Sequence, residues 1–149
     1  MGVLIRNGWE IYFHRQLFGE QRRQLRERVK QLKTELPAAD YLSHPEVKLL
    51  AAVMVGIKEK IALDSMAAQF VLTGSLRRYG RMKGMGLPHR YRLFFRAFAS
   101  EERQVLIILW LGYPRKAGYK RDCYEVFTKM VGNGDFPDNL SDLLMATDE

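Results

Sequence analysis

Apolar positions change their period along the chain, and each change marks an element. Residues 8–13, GWEIYF, are aromatic and β-branched and predict a strand. Beyond it Phe18, Leu25, Val29, Leu32 and Leu36 recur at helical spacing among Arg, Lys, Gln and Glu, which predicts an amphipathic helix ended by Pro37. A second helix opens at Ser43-His44-Pro45-Glu46: Ser43 and Glu46 have capping-box spacing, and Pro45 suits the first turn. Leu49, Val53, Ile57 and Ile61, with Leu50 and Met54 beside them, give that helix a broad apolar stripe.

The second half reads as strands and basic loops. QFVLTGSL, residues 69–76, predicts a short strand, and the glycines and cations of RRYGRMKGMGLP, 77–88, predict a loop. Residues 90–98 then alternate with a period of two. Tyr91, Leu93, Phe95 and Ala97 face one way, and Arg90, Arg92, Phe94, Arg96 and Phe98 the other. QVLIILWL, 104–111, is apolar on both faces and reads as a central strand. A second basic loop, GYPRKAGYKR, leads to Asp122, which can cap a last helix carrying Val126, Phe127 and Met130 and ending at VGNGD. The order β-α-α-β-β-β-α is of the α+β class, with two helices on one face of an antiparallel sheet. Residues 1–135 make one domain in this reading, and 136–149 an acidic, flexible C-terminal tail.

Charge sharpens the picture. The chain of 149 residues carries +7 overall, with a pI near 9.7. Twelve Lys or Arg lie between Arg77 and Arg121 against two acids, Glu101 and Glu102, so this segment holds +10 and the remainder −3. A cationic stretch of this kind suits a polyanion such as nucleic acid. With Cys123 the single cysteine, an intrachain disulfide and a cysteine-based zinc site are excluded. The longest apolar run, Val105 to Leu111, is too short to span a bilayer, and the N-terminus lacks a signal-peptide pattern, so a cytoplasmic location is expected.

If both helices cover one face of the sheet, the arginine face is left on the other. Arg81, Lys83 and His89 from the first loop would converge there with Arg90, Arg92 and Arg96 and with Arg115 to Arg121. Such a surface holds phosphates by charge and bases by stacking on aromatic rings; the plainer alternative is a solvated charged face. His14, His44 and His89 are scattered and no carboxylate pair accompanies the basic surface, so neither a metal nor another cofactor is expected. RNA cleavage can run without one, because the 2′-hydroxyl attacks its own phosphate. The protein then has to accept a proton, donate one, and neutralise charge growing on phosphorus. Arginine suits the last task, since a planar guanidinium holds two phosphate oxygens together. Lys83 and His89 are the candidates for acid and base.

NGWEIYFH, KLLAAVMVGIKEKI, RYRLFFR, VLIILWL and DCYEVFTKMVGNGDFPDN, in this order through nearly the whole chain, resemble the YhaV family of toxins in the RelE-like branch of type II toxin-antitoxin systems. The resemblance implies a RelE-like fold and an endoribonuclease that cleaves messenger RNA and arrests growth. It also implies a PrlF-type, AbrB-like antitoxin that joins the toxin in a hetero-oligomer repressing their operon. Carried onto this sequence, it makes Arg92 the phosphate-contacting strand arginine and Arg115 the arginine after the next strand. Arg81 and Lys83 form the preceding basic pair, and Tyr124 is the aromatic residue opening the last helix. The candidate catalytic set is Arg92, Arg115, Lys83, His89 and Tyr124. The candidate RNA-binding set is Arg81, Arg90, Arg96, Tyr91, Lys116, Tyr119, Lys120 and Arg121. Two rivals stand beside this reading: a non-catalytic RNA-binding module, and a ParE-like toxin acting on DNA gyrase. Tyr124 could simply pack the last helix. Trp9, Trp110 and Cys123 read as core residues, and Arg22, Arg23, Arg26 and Arg28 as a solvated helix face.

Overall fold

The computed structural model describes residues 4–112 and 122–148. The first strand is preceded by a partner: β1 (Leu4–Arg6) and β2 (Trp9–Phe13) pair antiparallel through a two-residue turn. Asn7 and Gly8 supply that turn, with φ of 49° and 83°, a conformation that suits these residue types and the twist of the strands. Three more strands complete a five-stranded sheet: β3 (Gly80–Lys83), β4 (Arg92–Ala99) and β5 (Gln104–Gly112), in the order β1-β2-β5-β4-β3. The sheet is mixed, since β2 runs parallel to β5 while the other pairs are antiparallel.

The helices follow the predicted stripes. α1 (Glu20–Glu35) grows out of a π-helical turn, Arg15–Gly19. A short α2 (Ala38–Ser43) leads to α3 (Pro45–Val55), which continues into a second π-helical turn, Gly56–Ile61. Ser43 ends α2 and does not cap α3; His44 takes that place, its Nδ1 accepting from the Glu46 N–H at 3.1 Å, with Pro45 in the first turn. Phe18, Val53, Ile57 and Ile61 pack on Trp9, Ile11, Leu93, Phe95, Leu106 and Ile108 to form one core.

The third predicted strand is displaced. Residues 69–76 make a single bridge, Val71 to Gly80, and a 3₁₀ turn at Gly74–Leu76. The strand is Gly80–Lys83, inside the stretch read as a loop, because Gly-Arg-Met-Lys is itself a period-two pattern. Gly80 lies under the Phe95 ring, where a Cβ would approach to 2.4 Å, and Met82 is fully buried. The opening of β4 also moves, from Arg90 to Arg92, since Arg90 sits in a turn at φ 73°.

The second face of the sheet is not open. α4 (Cys123–Gly132), capped by Asp122 through the Glu125 N–H at 3.0 Å, lies across it. Phe127 stacks on Phe94 at 4.2 Å and 14° between planes, over Val105, Ile107, Leu109 and Trp110. These rings and aliphatic chains are the apolar half of the face that had been expected to meet RNA, and burying them favours helix cover over solvent.

Residues 136–148, expected as a flexible tail, join the same core. Phe136 and Leu143 are buried. Asn139 caps α5 (Leu140–Met145), and Thr147 bridges to His14. Arg15 donates through Nη2 to the carbonyls of Met145 (3.2 Å) and Thr147 (2.7 Å). Among the described residues no helix is long and apolar enough to cross a membrane.

Candidate active site at the end of the sheet

With its faces covered, the sheet can offer chemistry at its rim, and strand register decides which side chains meet there. β3 and β4 place Lys83 directly opposite Arg92 and Arg81 opposite Phe94. Cross-strand partners share a face, so Arg81, Lys83 and Arg92 all project to the α4 side. Among the described residues no carboxylate lies within ion-pair distance of any of the three. Two cations held opposite one another without an acid are unfavourable in the free protein and are relieved by an anion.

Arg92 is half-buried and fixed from two directions. Its Nε donates to the Tyr124 hydroxyl at 3.1 Å, and its Nη1 to the Tyr91 carbonyl at 2.8 Å. Tyr124, in the first turn of α4, packs edge-on against Phe94 at 5.6 Å, so α4 sets the position of the hydroxyl that holds the guanidinium. Tyr124 also lines an open concavity with Asp122, Glu125, Thr128 and Lys129.

A β-bulge makes room for this arrangement. Phe94 lies opposite Trp110 but Phe95 opposite Ile108, which leaves Leu109 as an extra residue on β5. Val105, Ile107 and Leu109 face α4 before the step, and Trp110 faces it after, while Leu111 turns to the helical side. Gly112 therefore lies opposite Arg92 on the α4 side. A Cβ there would come within 2.7 Å of the Cys123 Cβ and 3.0 Å of the Trp110 ring, so glycine lets the first turn of α4 approach the strand. Bulges commonly re-aim strands next to active sites.

The remaining candidates are spread out. His89 and Arg90 are exposed in the turn that leads into β4. Tyr91 packs against the helical core, on the side opposite Arg92. Arg96, four residues along β4 and so roughly 13 Å from Arg92, is 9% exposed. It donates through Nη1 to the carbonyl and Oδ1 of Asp138 at 2.7 and 2.9 Å, and its guanidinium lies 4.5 Å from the Phe98 ring centroid. Arg78 holds the other oxygen of the same carboxylate, so Arg96 anchors the segment before α5. Arg115, Lys116, Tyr119, Lys120 and Arg121 lie outside the described residues.

The other titratable groups have structural roles. Burial pushes the Cys123 thiol up, keeping it neutral, although Arg92 draws it the other way. His14 is buried edge-on against Phe136 at 5.3 Å, and burial pushes its imidazole below the usual range. His44 caps α3. His89 is the remaining histidine, and it sits on the approach to Arg92. Among the described residues no three His, Cys, Asp or Glu side chains form a possible metal-binding group. Sequence reasoning passed over Gly112; its one signal was a glycine closing an apolar run.

A five-stranded sheet with two long helices behind it and a C-terminal helix across its front defines a RelE-like α+β fold. A family model described as a toxin with endonuclease activity, of toxin-antitoxin system, matches residues 12–148. Similar proteins include the ribonuclease toxin YhaV of Escherichia coli K12 and the toxin YhaV of Escherichia coli O6:H1. Each is 35% identical over 152 aligned positions, covering 96% of this chain and 94% of the relative. No solved structure gives a significant match. The chain belongs to the YhaV family of toxins, and its partner is accordingly an antitoxin.

Proposed function

We propose that this toxin is an endoribonuclease that cleaves messenger RNA by attack of the 2′-hydroxyl on the adjacent phosphate, with no metal in the reaction. The observation that carries the reading is the cross-strand pair Lys83 and Arg92, two cations with no ion-pair partner among the described residues, the Arg92 guanidinium being held by Tyr124 at 3.1 Å. Arg92 binds the non-bridging phosphate oxygens and stabilises the charge that grows on them. Lys83 and His89 share the proton transfers: one takes the proton of the 2′-hydroxyl, and the other delivers a proton to the 5′-oxygen as its bond to phosphorus breaks. The products are a 2′,3′-cyclic phosphate and a 5′-hydroxyl. Tyr124 keeps Arg92 in line and presents its own O–H to the site. Arg81 adds charge for flanking phosphates, and Arg115, Lys116, Lys120 and Arg121, which follow β5 in the sequence, add four more cations for the RNA backbone. The relative from Escherichia coli K12 bears the name ribonuclease toxin, which supports RNA as the substrate.

The partner in this reading is a PrlF-type, AbrB-like antitoxin that forms a hetero-oligomer with the toxin and represses their operon, and the toxin acts in the cytoplasm. The test incubates purified protein, in EDTA, with labelled single-stranded RNA, the matching DNA, and messenger RNA on translating ribosomes. RNA fragments ending in cyclic phosphate, with DNA intact, are expected. Folded protein that cleaves in no lane would refute the nuclease reading and favour an RNA-binding or gyrase-directed role.

A further inference from the structure

Strand β5 is supported unequally along its two edges. Against β4 it is paired to its last residue, Gly112 opposite Arg92, but against β2 only as far as Ile108 opposite Phe13. The His14 N–H still donates to the Ile108 carbonyl at 2.9 Å, and the chain then turns away into the π-helical turn and α1. Past that point Leu111 lies against Phe18, Leu25 and Val53, and among the described residues no strand pairs with its β2-side edge. A peptide group left unpaired in such surroundings is costly.

Gln21, in the first turn of α1, takes the place of the missing strand. Its Nε2 donates to the Leu111 carbonyl at 2.9 Å, and its Oε1 accepts the Leu111 N–H at 2.8 Å. A side-chain amide thus completes the sheet at the residue before Gly112. Few side chains can do this. Leucine offers neither group, ionised glutamate accepts but cannot donate, and asparagine is one methylene shorter.

We propose that Gln21 is a positioning residue for RNA cleavage: by pairing with Leu111 it fixes the end of β5, and through Gly112 the packing of Arg92 and Tyr124. The inference rests on placing the active site at Arg92. With Gln21 removed, residues 109–112 would hang from β4 alone, with the bulge at Leu109 as a hinge. Cys123, whose Cβ sits against Gly112, would transmit the looseness to the first turn of α4.

The test compares Gln21→Leu and Gln21→Glu with Ser65→Ala, which removes a buried hydrogen bond to the Ile61 carbonyl away from the Arg92 end of the sheet. Cleavage of labelled RNA is followed at limiting and saturating substrate, with melting temperature in parallel. Gln21→Leu is expected to lose roughly tenfold to hundredfold in kcat, because small misplacements of reacting groups are costly. KM should stay within about threefold, since phosphate binding survives. Ser65→Ala should keep its kcat despite losing stability. In Gln21→Glu the deficit should shrink as pH is lowered from about 7 to about 4.5, because the carboxyl, with an ordinary pKa of about 4.3, then takes up a proton and again offers a donor and an acceptor. Unchanged kcat in folded Gln21→Leu protein, or a Gln21→Glu deficit equal at every pH, would overturn the proposal. An Arg92→Ala protein that still cleaves RNA would instead show that the site itself is misplaced, and the inference would fall with it.

Discussion

Replacing Lys83 with Gln should make the protein more stable and nearly inactive. Lys83 and Arg92 are opposite in register, and no acid among the described residues pairs with either. For charges taken as about 7 Å apart, a spacing typical of long side chains on facing strands, the repulsion is roughly 0.6 kcal/mol at the dielectric of water and about 2.4 kcal/mol at an effective value of 20. Lys83 is exposed, so the lower figure governs, in line with like charges facing each other across strands. Glutamine keeps most of the stem and removes the charge, so about 0.5–1 kcal/mol should return to the folded state. At about 2–4 °C per kcal/mol for a chain of this size, the melting temperature should rise by roughly 1–4 °C. High salt screens surface charges, so the gain should fade at about 1 M. Cleavage should fall by about 100-fold or more, the scale of a lost acid or base. The assay pairs calorimetry across a salt series with single-turnover cleavage on one preparation. A Lys83→Gln protein that melts lower than the parent, or gains stability equally at all salt concentrations, would refute the claim that the pair is an unneutralised anion site.

Other consequences are as concrete. Tyr124→Phe keeps the ring against Phe94 but frees Arg92 Nε, so kcat should drop about tenfold, equivalent to about 1.4 kcal/mol, with little change in melting temperature; a loss near 1000-fold would make the hydroxyl itself a proton carrier. Gly112→Ala drives a methyl into the Cys123 Cβ and should cost about 1–3 kcal/mol in chemical denaturation, together with activity. His14 is held below its ordinary value of 6.5 by burial, so the unfolded chain takes up a proton before the folded one does. Stability from neutral His14 is therefore complete above about 6.5 and lost as pH falls below it. A His14→Gln protein should show a flatter dependence of melting temperature on pH across that range.

The sequence was most legible where one physical cause set the pattern. α1, the stripe of α3, the Asp122 cap and the alternation in β4 all follow from spacing, and the structure keeps them. Legibility failed where partners came from far along the chain. Gly80–Lys83 carries mainly glycine and cations, so its strand character depends on Phe95 above Gly80 and on the pocket that takes Met82. The cover over Phe94 comes from Phe127 and Phe136, and the acidic composition of the last residues hid Leu143. Arg96 looked equivalent to Arg92 in the alternation, and only Asp138, distant in sequence, separates their roles. Arg22 likewise departs from the solvated helix face, being half-buried over the Phe13 ring at 4.8 Å. The bulge at Leu109 leaves no mark in a run of residues that are all apolar.

The central claim is that Arg92, at the rim of the sheet, stabilises the charge developing on the scissile phosphate. Single-turnover cleavage of labelled RNA by Arg92→Ala protein, with its fold verified by melting temperature, tests this most directly. The account predicts a folded protein that still binds RNA, more weakly and with a shallower salt dependence, and forms cyclic-phosphate ends at least about 1000-fold more slowly. Cleavage at the parental rate by folded Arg92→Ala protein would contradict it.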